Sequence, residues 1–236
     1  MEKQLYIIKN AIGEGPGLLD PILRVRGIPY EVIDLDLGQA LPDLDSVKAL
    51  IVLGAPDSAN DQSNKIINDV NFVRHTLEEG IPYLGICLGL QVMVKAMGGT
   101  IIKNPVKEVG FRGPDHELFK IELNEAGKAD PLFSGLEQNL NVFQLHGETV
   151  EINASFELLA TGKFCANQVV KYADNAYGIQ PHFELTPEMF RDWCEHDTWL
   201  KELNAEELET DYNNLKQNYT NTGLTLFRNF LALAGY

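Results

Sequence analysis

The sequence is poor in cysteine and in long apolar stretches. Its 236 residues include three cysteines, an odd number without Cys-x-x-Cys spacing, which is typical of reduced thiols. We therefore predict neither a disulfide framework nor a metal site. No run of about 18 apolar residues is present, and the chain starts at Met1 without a cleavage-site pattern. These absences predict a cytosolic protein with no membrane span.

Basic residues are also scarce. Lys and Arg together number 19 against 34 Asp and Glu, which gives a formal net charge of −15. Such a charge argues against binding to a phosphate backbone or to an anionic membrane surface, so we predict neither nucleic acid nor membrane as a partner. The hydrophobic share of 44% and the charged share of 22% are those of an ordinary globular protein.

The first half of the chain alternates between strand and helix patterns. Short apolar runs at 5–8, 30–35, 49–53 and 81–86 predict buried strands, and helical periodicity lies between them. This alternation is typical of a parallel sheet covered by helices on both faces. Residues 140–180 are rich in strand patterns, which would complete the sheet or add a small antiparallel layer.

From Thr186 onward the pattern becomes helical. Thr186 before Pro187, and Asn204 with Glu207 three residues later, are helix-start signatures. We therefore predict one α/β domain over residues 1–185 and a C-terminal helical extension over 186–236 that packs on the same domain.

The most informative stretch is Gly85-Ile86-Cys87-Leu88-Gly89, where the hydrophobic period changes from that of a strand to that of a helix. It has the outline of a nucleophile elbow with cysteine in place of serine. A helix N-terminus at Cys87 favours a thiolate over a thiol. The alternative is that Cys87 is a small buried hydrophobe, as free cysteines often are, so a proton-carrying partner is needed to decide.

Among five histidines, His182 is the best partner. Glu184 lies two residues later, and in an extended chain the two side chains point to the same side, so the carboxylate can orient the imidazole. Cys87, His182 and Glu184 are therefore a candidate triad. The other candidates, His75 and His116, and likewise His196, are assigned to surface or structural roles.

The intermediate of such a reaction needs hydrogen-bond donors for its oxyanion. The backbone N–H of Leu88 is one candidate, and that of Ala55, after the neighbouring strand, is another; a tight turn would explain Ala55 equally well. The glycine-rich segment Gly13–Gly17 lacks the Lys-Ser/Thr of a P-loop and contains a proline, which removes a backbone donor. We predict no nucleotide and no other cofactor.

With these residues assembled, the chain resembles the class I glutamine amidotransferases, most closely the glutaminase domain of GMP synthase and its stand-alone relatives. The matching motifs are GICLGLQ at 85–91, GAP at 54–56, HGE at 146–148 and QPHFE at 180–184. The family usually has Gly-Gly-Pro, His-Gly-Asp and Gln-Phe-His-Pro-Glu at the last three. The resemblance implies a flavodoxin-like, doubly wound and mostly parallel sheet.

The resemblance also implies a reaction. Cys87 attacks the side-chain amide of L-glutamine, His182 protonates the departing ammonia, and water then hydrolyses a γ-glutamyl thioester. Gln91 should contact the glutamine, and Gly147 and Glu148 should line its pocket through backbone atoms. Ammonia would pass to an acceptor, expected to be a separate synthetase where one exists, because the chain has no room for a synthetase domain.

Two alternatives stay open at this point. One is a γ-glutamyl peptidase or hydrolase that uses the same triad on a γ-glutamyl compound. The other is a non-catalytic regulatory subunit that keeps the fold, against which the intact triad counts.

Overall fold

A computed structural model describes residues 3–236; Met1, where the predicted domain begins, and Glu2 lie outside it. The strands are β1 (Gln4–Lys9), β2 (Tyr30–Asp34), β3 (Val47–Val52), β4 (Tyr83–Ile86), β5 (Thr100–Gly110), β6 (Lys120–Leu123), β7 (Asn139–Asn141), β8 (Gln144–Glu151), β9 (Phe156–Gly162), β10 (Val169–Tyr172) and β11 (Ala176–Ile179). The helices are α1 (Leu19–Arg26), α2 (Asn64–Glu78), α3 (Leu88–Ala96), α4 (Glu125–Ala129), α5 (Pro187–His196) and α6 (Ala205–Leu233). None of these described helices is long and apolar enough to cross a membrane.

One large sheet forms the centre of the molecule. Five neighbouring strands, in the order β2-β1-β3-β4-β11, run parallel, and this order is that of a doubly wound, flavodoxin-like sheet. In β4 and β11 the last residues, Ile86 and Ile179, lie opposite each other. The chain therefore leaves both strands at the same edge, and the predicted fold class is confirmed.

The other strands extend this sheet and add a second one. Strands β10, β9, β6 and β7 continue the large sheet in antiparallel pairs, while β5 and β8 form a separate antiparallel pair. Both outcomes predicted for residues 140–180 therefore occur, since β9 to β11 complete the sheet and β8 belongs to the small layer.

Two apolar layers cover the large sheet, as strand alternation requires. In β1, Leu5 and Ile7 face a core that includes Leu19 of α1 and Phe227 of α6. On the opposite face, Ile8 packs in a core that contains Val70 of α2, with Val92 of α3. The sheet is thus buried on both sides.

The two predicted helix starts after residue 185 are confirmed. The Thr186 side chain accepts a hydrogen bond from the Met189 N–H at 3.2 Å, and Asn204 accepts from the N–H groups of Glu206 and Glu207 at 3.0 and 3.1 Å. Aromatic residues of α5 and α6 then form a third apolar cluster next to the carboxyl edge of the sheet.

Candidate active site

Cys87 occupies a sharp turn between β4 and α3. Its backbone has φ 51° and ψ −102°, a conformation that side-chain-bearing residues rarely adopt. A Cβ on Gly89 would lie 2.2 Å from the carbonyl oxygen of Val52 in β3, so only glycine allows the helix to approach the sheet this closely. The Cys87 N–H donates to the Ile179 carbonyl at 2.8 Å. These contacts hold the thiol at the carboxyl edge of the sheet.

The His182 imidazole lies beside this thiol. The segment after β11 carries it, and the His182 N–H donates to the Phe143 carbonyl at 3.0 Å. The imidazole and the Cys87 thiol line the same pocket and interact electrostatically. On its other side, His182 Nδ1 lies 2.6 Å from Glu184 Oε1. The structure therefore brings Cys87, His182 and Glu184 together in the order that the sequence predicted.

Phe183 stands where the family usually has proline, and it fixes the Glu184 carboxylate. The Phe183 N–H donates to Glu184 Oε2 at 2.9 Å, a bond that proline could not make because it has no N–H. The Phe183 ring stacks on Tyr219 with centroids 6.2 Å apart. The exchange of proline and phenylalanine around His182 thus supplies an additional support for the carboxylate.

The electrostatics of the triad favour a charged imidazole. His182 and Glu184 are almost fully buried, with 1% and 0% of their surfaces exposed. Burial opposes a charge on the ring, yet the Glu184 carboxylate and the neighbouring Cys87 together raise the pKa of His182 well above its ordinary value. At neutral pH, His182 is therefore suited to hold a proton that it can pass to a leaving group.

The loop after β3 closes the site on the side of the predicted oxyanion donors. A Cβ on Gly54 would lie 3.4 Å from Cys87 Cβ and 2.9 Å from His182 Cε1, so this loop adjoins both side chains. Ala55 lines the pocket in front of Cys87, and Leu88 is the first residue of α3. Both backbone positions named from the sequence therefore flank the thiol.

The predicted substrate residues line the same pocket, which has a volume of about 400 Å³. Gln91, Gly147 and Glu148 all contribute to its wall. Gln91 Nε2 donates to the Glu148 carbonyl at 3.4 Å, while the Glu148 carboxylate accepts from Ser58 Oγ at 2.7 Å. The side chain of Glu148 is thus fixed by Ser58 in the pocket wall, and its backbone carbonyl faces Gln91.

Three further histidines and the other two cysteines lie in surface or structural environments. His75 and His196 bond exposed carboxylate groups of their own helices, and His116 is exposed in a turn. Cys165 is buried, which raises the pKa of its thiol to about 11. Cys194 is half-buried, and burial also raises the pKa of its thiol. Both thiols are therefore protonated at neutral pH.

Two clusters among the described residues have donor atoms close enough to hold a metal ion. In one, Glu108 Oε2 bonds His146 Nε2 at 2.8 Å and Cys165 Sγ bonds Thr149 Oγ1 at 3.0 Å. The other contains His182 and Glu184, which bond each other. Glu14 is the third member of that cluster. In the first cluster the protonated Cys165 is a poor metal ligand.

Sequence reasoning missed several residues that surround the triad. Glu14 lines the pocket from the glycine-rich loop after β1. The Tyr219 hydroxyl of α6 donates to the His182 carbonyl at 2.6 Å. The Trp193 ring packs edge-on against the His182 imidazole, with ring centroids 4.9 Å apart. The location of the loop could have pointed to Glu14, because the chain leaves β1 at the same carboxyl edge of the sheet as it leaves β4 and β11.

The fold and this edge define an α/β protein with a cysteine at a sharp strand-to-helix turn. A family model described as "Glutamine amidotransferase class-I" matches residues 18–198. The chain therefore belongs to the class I glutamine amidotransferase family, as the motifs predicted.

Curated relatives match the central part of the chain. It is 29% identical over 165 residues to the glutamine amidotransferase-like protein YfeJ of Salmonella typhimurium, covering 67% of this chain and 66% of that protein. It is 30% identical over 172 residues to the glutamine-hydrolysing GMP synthase of Thermosipho africanus, covering 72% of this chain and 30% of the synthase. The match thus spans just under two thirds of the first relative and less than a third of the second.

Solved structures share the fold over the whole chain. A glutamine amidotransferase from Methylobacillus flagellatus superposes with a TM-score of 0.87 at 24% identity, covering 99% of this chain and 96% of that one. One from Thermotoga maritima gives a TM-score of 0.84 at 21% identity, with 98% of each chain covered. At these identities the likeness concerns the fold, including the C-terminal helices.

Proposed function

We propose that this protein hydrolyses the side-chain amide of L-glutamine through the triad Cys87, His182 and Glu184, and supplies the ammonia to an acceptor synthetase. The observation that carries the proposal is a thiol at a sharp strand-to-helix turn that shares its pocket with an imidazole whose Nδ1 lies 2.6 Å from a buried carboxylate. This is the arrangement that an activated cysteine nucleophile requires. Membership of the family supports glutamine as the substrate.

The proposed first step forms a thioester. Cys87 Sγ attacks the amide carbon of the glutamine side chain, and the negative charge that develops on the oxygen is stabilised by the N–H groups of Ala55 and Leu88. When the C–N bond breaks, His182 gives its proton to the nitrogen, which leaves as ammonia. Glu184 stabilises the imidazolium and keeps the ring aimed at Cys87.

The proposed second step releases glutamate. Water attacks the thioester carbon while His182 accepts a proton from it, and the C–S bond breaks to restore the Cys87 thiolate. Gln91 and the backbone of Gly147 and Glu148 are proposed to hold the substrate during both steps. All three line the pocket next to the thiol.

The acceptor of the ammonia is proposed from the relatives. GMP synthases similar to this chain are named glutamine-hydrolysing, and in the family the ammonia passes to a synthetase. We propose a synthetase as the partner, without assigning its product.

Assays of two substrates test the proposal. Purified protein should release ammonia and glutamate from L-glutamine faster than it cleaves γ-glutamyl dipeptides. The dipeptides are included because the pocket, at about 400 Å³, continues past Cys87 to Trp199 and has room for a larger leaving group. Faster cleavage of the dipeptides would favour the γ-glutamyl hydrolase instead, and a lack of both activities would favour a non-catalytic subunit.

Triad variants complete the test. Cys87→Ala should abolish both steps, because no other group replaces the nucleophile, and His182→Ala should nearly abolish turnover. Glu184→Gln should keep measurable activity, since the reacting groups remain and only orientation and charge stabilisation are lost. Wild-type glutamine hydrolysis by Cys87→Ala would refute the proposed mechanism.

A further inference from the structure

The glycine-rich loop after β1 is bonded directly to the segment that carries the triad. The Leu18 N–H donates to the Glu184 carbonyl at 2.8 Å. Gly17 has φ 49°, and a Cβ there would lie 1.9 Å from the same carbonyl oxygen, so this close approach requires glycine. From the other side, Trp193 Nε1 donates to the Gly13 carbonyl at 3.0 Å. The loop is therefore held against the triad at both of its ends.

Glu14 projects from this loop into the active site. Its carboxyl group, the His182 ring and the Glu184 carboxyl group have donor atoms that all lie within 4.8 Å of one another. Only 9% of the Glu14 surface is exposed, and its Oε2 has no hydrogen-bond partner among the described residues. A buried carboxyl oxygen without a partner is costly, and neither the catalytic steps nor the packing described above gives it a role.

Three charged neighbours act on the Glu14 carboxyl group. Burial raises the pKa of Glu14 to about 7; the His182 imidazolium lowers it, and the carboxylates of Glu184 and Asp197 raise it further. A Cβ on Gly54 would lie 3.5 Å from Glu14 Oε2 and 3.4 Å from Cys87 Cβ, so both side chains adjoin this glycine. Near neutral pH this group can therefore change its charge beside the triad.

We propose that Glu14 is a second carboxyl partner of His182, a positioning residue that flanks the imidazole together with Glu184 and stabilises its protonated form. The inference rests on the proposed glutamine hydrolysis for its consequence in turnover. The electrostatic effect follows from the geometry alone, because an ionised carboxylate at this distance favours the imidazolium. The glycine-rich loop then serves the reaction by carrying a carboxyl group to the ring.

The direct test is an NMR titration of His182. Its side-chain signals are assigned by their loss in His182→Gln, and five histidines in the chain make this practical. In Glu14→Gln the pKa of the imidazolium should fall by about one unit or more, the size expected for removal of an opposite charge at this range. In the wild type, the same signals should show a second inflection near pH 7, where Glu14 ionises, and the variant should lack it.

Asp69→Asn is the matched control. Asp69 is buried as well, with 0% of its surface exposed, and burial raises its pKa to about 6. It bonds Asn10 rather than the triad. This variant should leave the titration of His182 unchanged. An unchanged His182 pKa in Glu14→Gln would overturn the proposal. If Glu14→Gln does not fold, the titration of His182 in the wild type is the deciding measurement. A single inflection without a step near pH 7 would also overturn the proposal.

Kinetics separate this inference from the proposed function. If glutamine is the substrate, Glu14→Gln should lower kcat about tenfold, as loss of an orienting partner does, with KM unchanged, whereas Asp69→Asn should have wild-type kcat. A normal kcat in Glu14→Gln would contradict the effect on turnover. Absence of glutamine hydrolysis in the wild type would refute the proposed function, while the His182 titration would still decide the role of Glu14.

Discussion

The burial of Glu14 has a consequence for stability as well as for the site. Its pKa is raised from 4.5 to about 7 in the folded protein, so between these values the folded state binds more protons than the unfolded state. The free energy of unfolding therefore falls as the pH rises through this window. A rise of this size corresponds to about 3 kcal/mol at pH values above 7.

This argument predicts the behaviour of Glu14→Gln in denaturant. Its free energy of unfolding should exceed that of the wild type by up to about 3 kcal/mol above pH 7, and the two should converge toward pH 4.5. Urea titrations at both ends of the window measure the difference. The exposed Glu137→Gln is the control and should show no such trend. A difference that is constant with pH would contradict the assignment of the ionisation to Glu14.

At the residue scale, the sequence was informative where the chemistry is local. Cys87 lies inside its own glycine-flanked motif, and His182 and Glu184 are two residues apart, so strand geometry alone pairs them. Glu14 belongs to a different loop, and its contact with His182 exists only once β1 and β11 lie in the same sheet. Comparison with the P-loop motif could show that the glycine-rich segment does not match a phosphate loop. It could not show that this segment places the Glu14 carboxyl group beside His182.

At the scale of elements, α6 supports the triad through one hydroxyl group. Tyr219 is 1% exposed, and its hydroxyl donates to the His182 carbonyl at 2.6 Å. Tyr219→Phe should lower the free energy of unfolding by about 1 kcal/mol, the usual net value of a buried hydrogen bond, and should lower kcat because the segment that carries His182 loses a support.

The matched control for this prediction is Tyr212→Phe on the same helix. Tyr212 stacks on Phe190 with centroids 4.1 Å apart, and its substitution removes a hydroxyl group away from His182. Thermal unfolding and glutaminase rates measure both variants. An effect of Tyr212→Phe on kcat as large as that of Tyr219→Phe would show that the hydroxyl bond is not what supports the triad.

Helices and strands were predicted from the sequence where apolar residues keep one spacing over the whole element. Strand β4 carries a clear apolar run that was predicted over 81–86 and is observed as Tyr83–Ile86, and α2 lies in the helical stretch predicted before it. The pairing of β5 with β8 was not predicted, because alternation identifies a strand but not its partner. Within the strand-rich region predicted over 140–180, Cys165 lies outside the strands, because β10 starts at Val169. The Cys165 thiol contacts Thr149.

At the scale of the whole molecule, we propose that residues 186–236 are an extension packed on the domain of residues 1–185. Phe227 of α6 lies in the same apolar core as Ile7 of β1, and Lys48 bonds the Gly235 carbonyl at 2.9 Å. The family match ends at 198, inside the proposed extension. A single unfolding transition in the thermal measurements on Tyr219→Phe and the wild type would support packing of the extension on the domain, and separate melting of α6 would contradict it.

The central claim is that glutamine forms a thioester with Cys87. The most direct measurement is to mix the protein with L-glutamine, quench with acid during turnover, and locate the bound γ-glutamyl group by mass spectrometry of the digested chain. The account predicts one γ-glutamyl group on Cys87 and none on Cys165 or Cys194, whose raised pKa values keep their thiols protonated. A γ-glutamyl group on either other cysteine, or glutamine turnover without any bound group on Cys87, would contradict it.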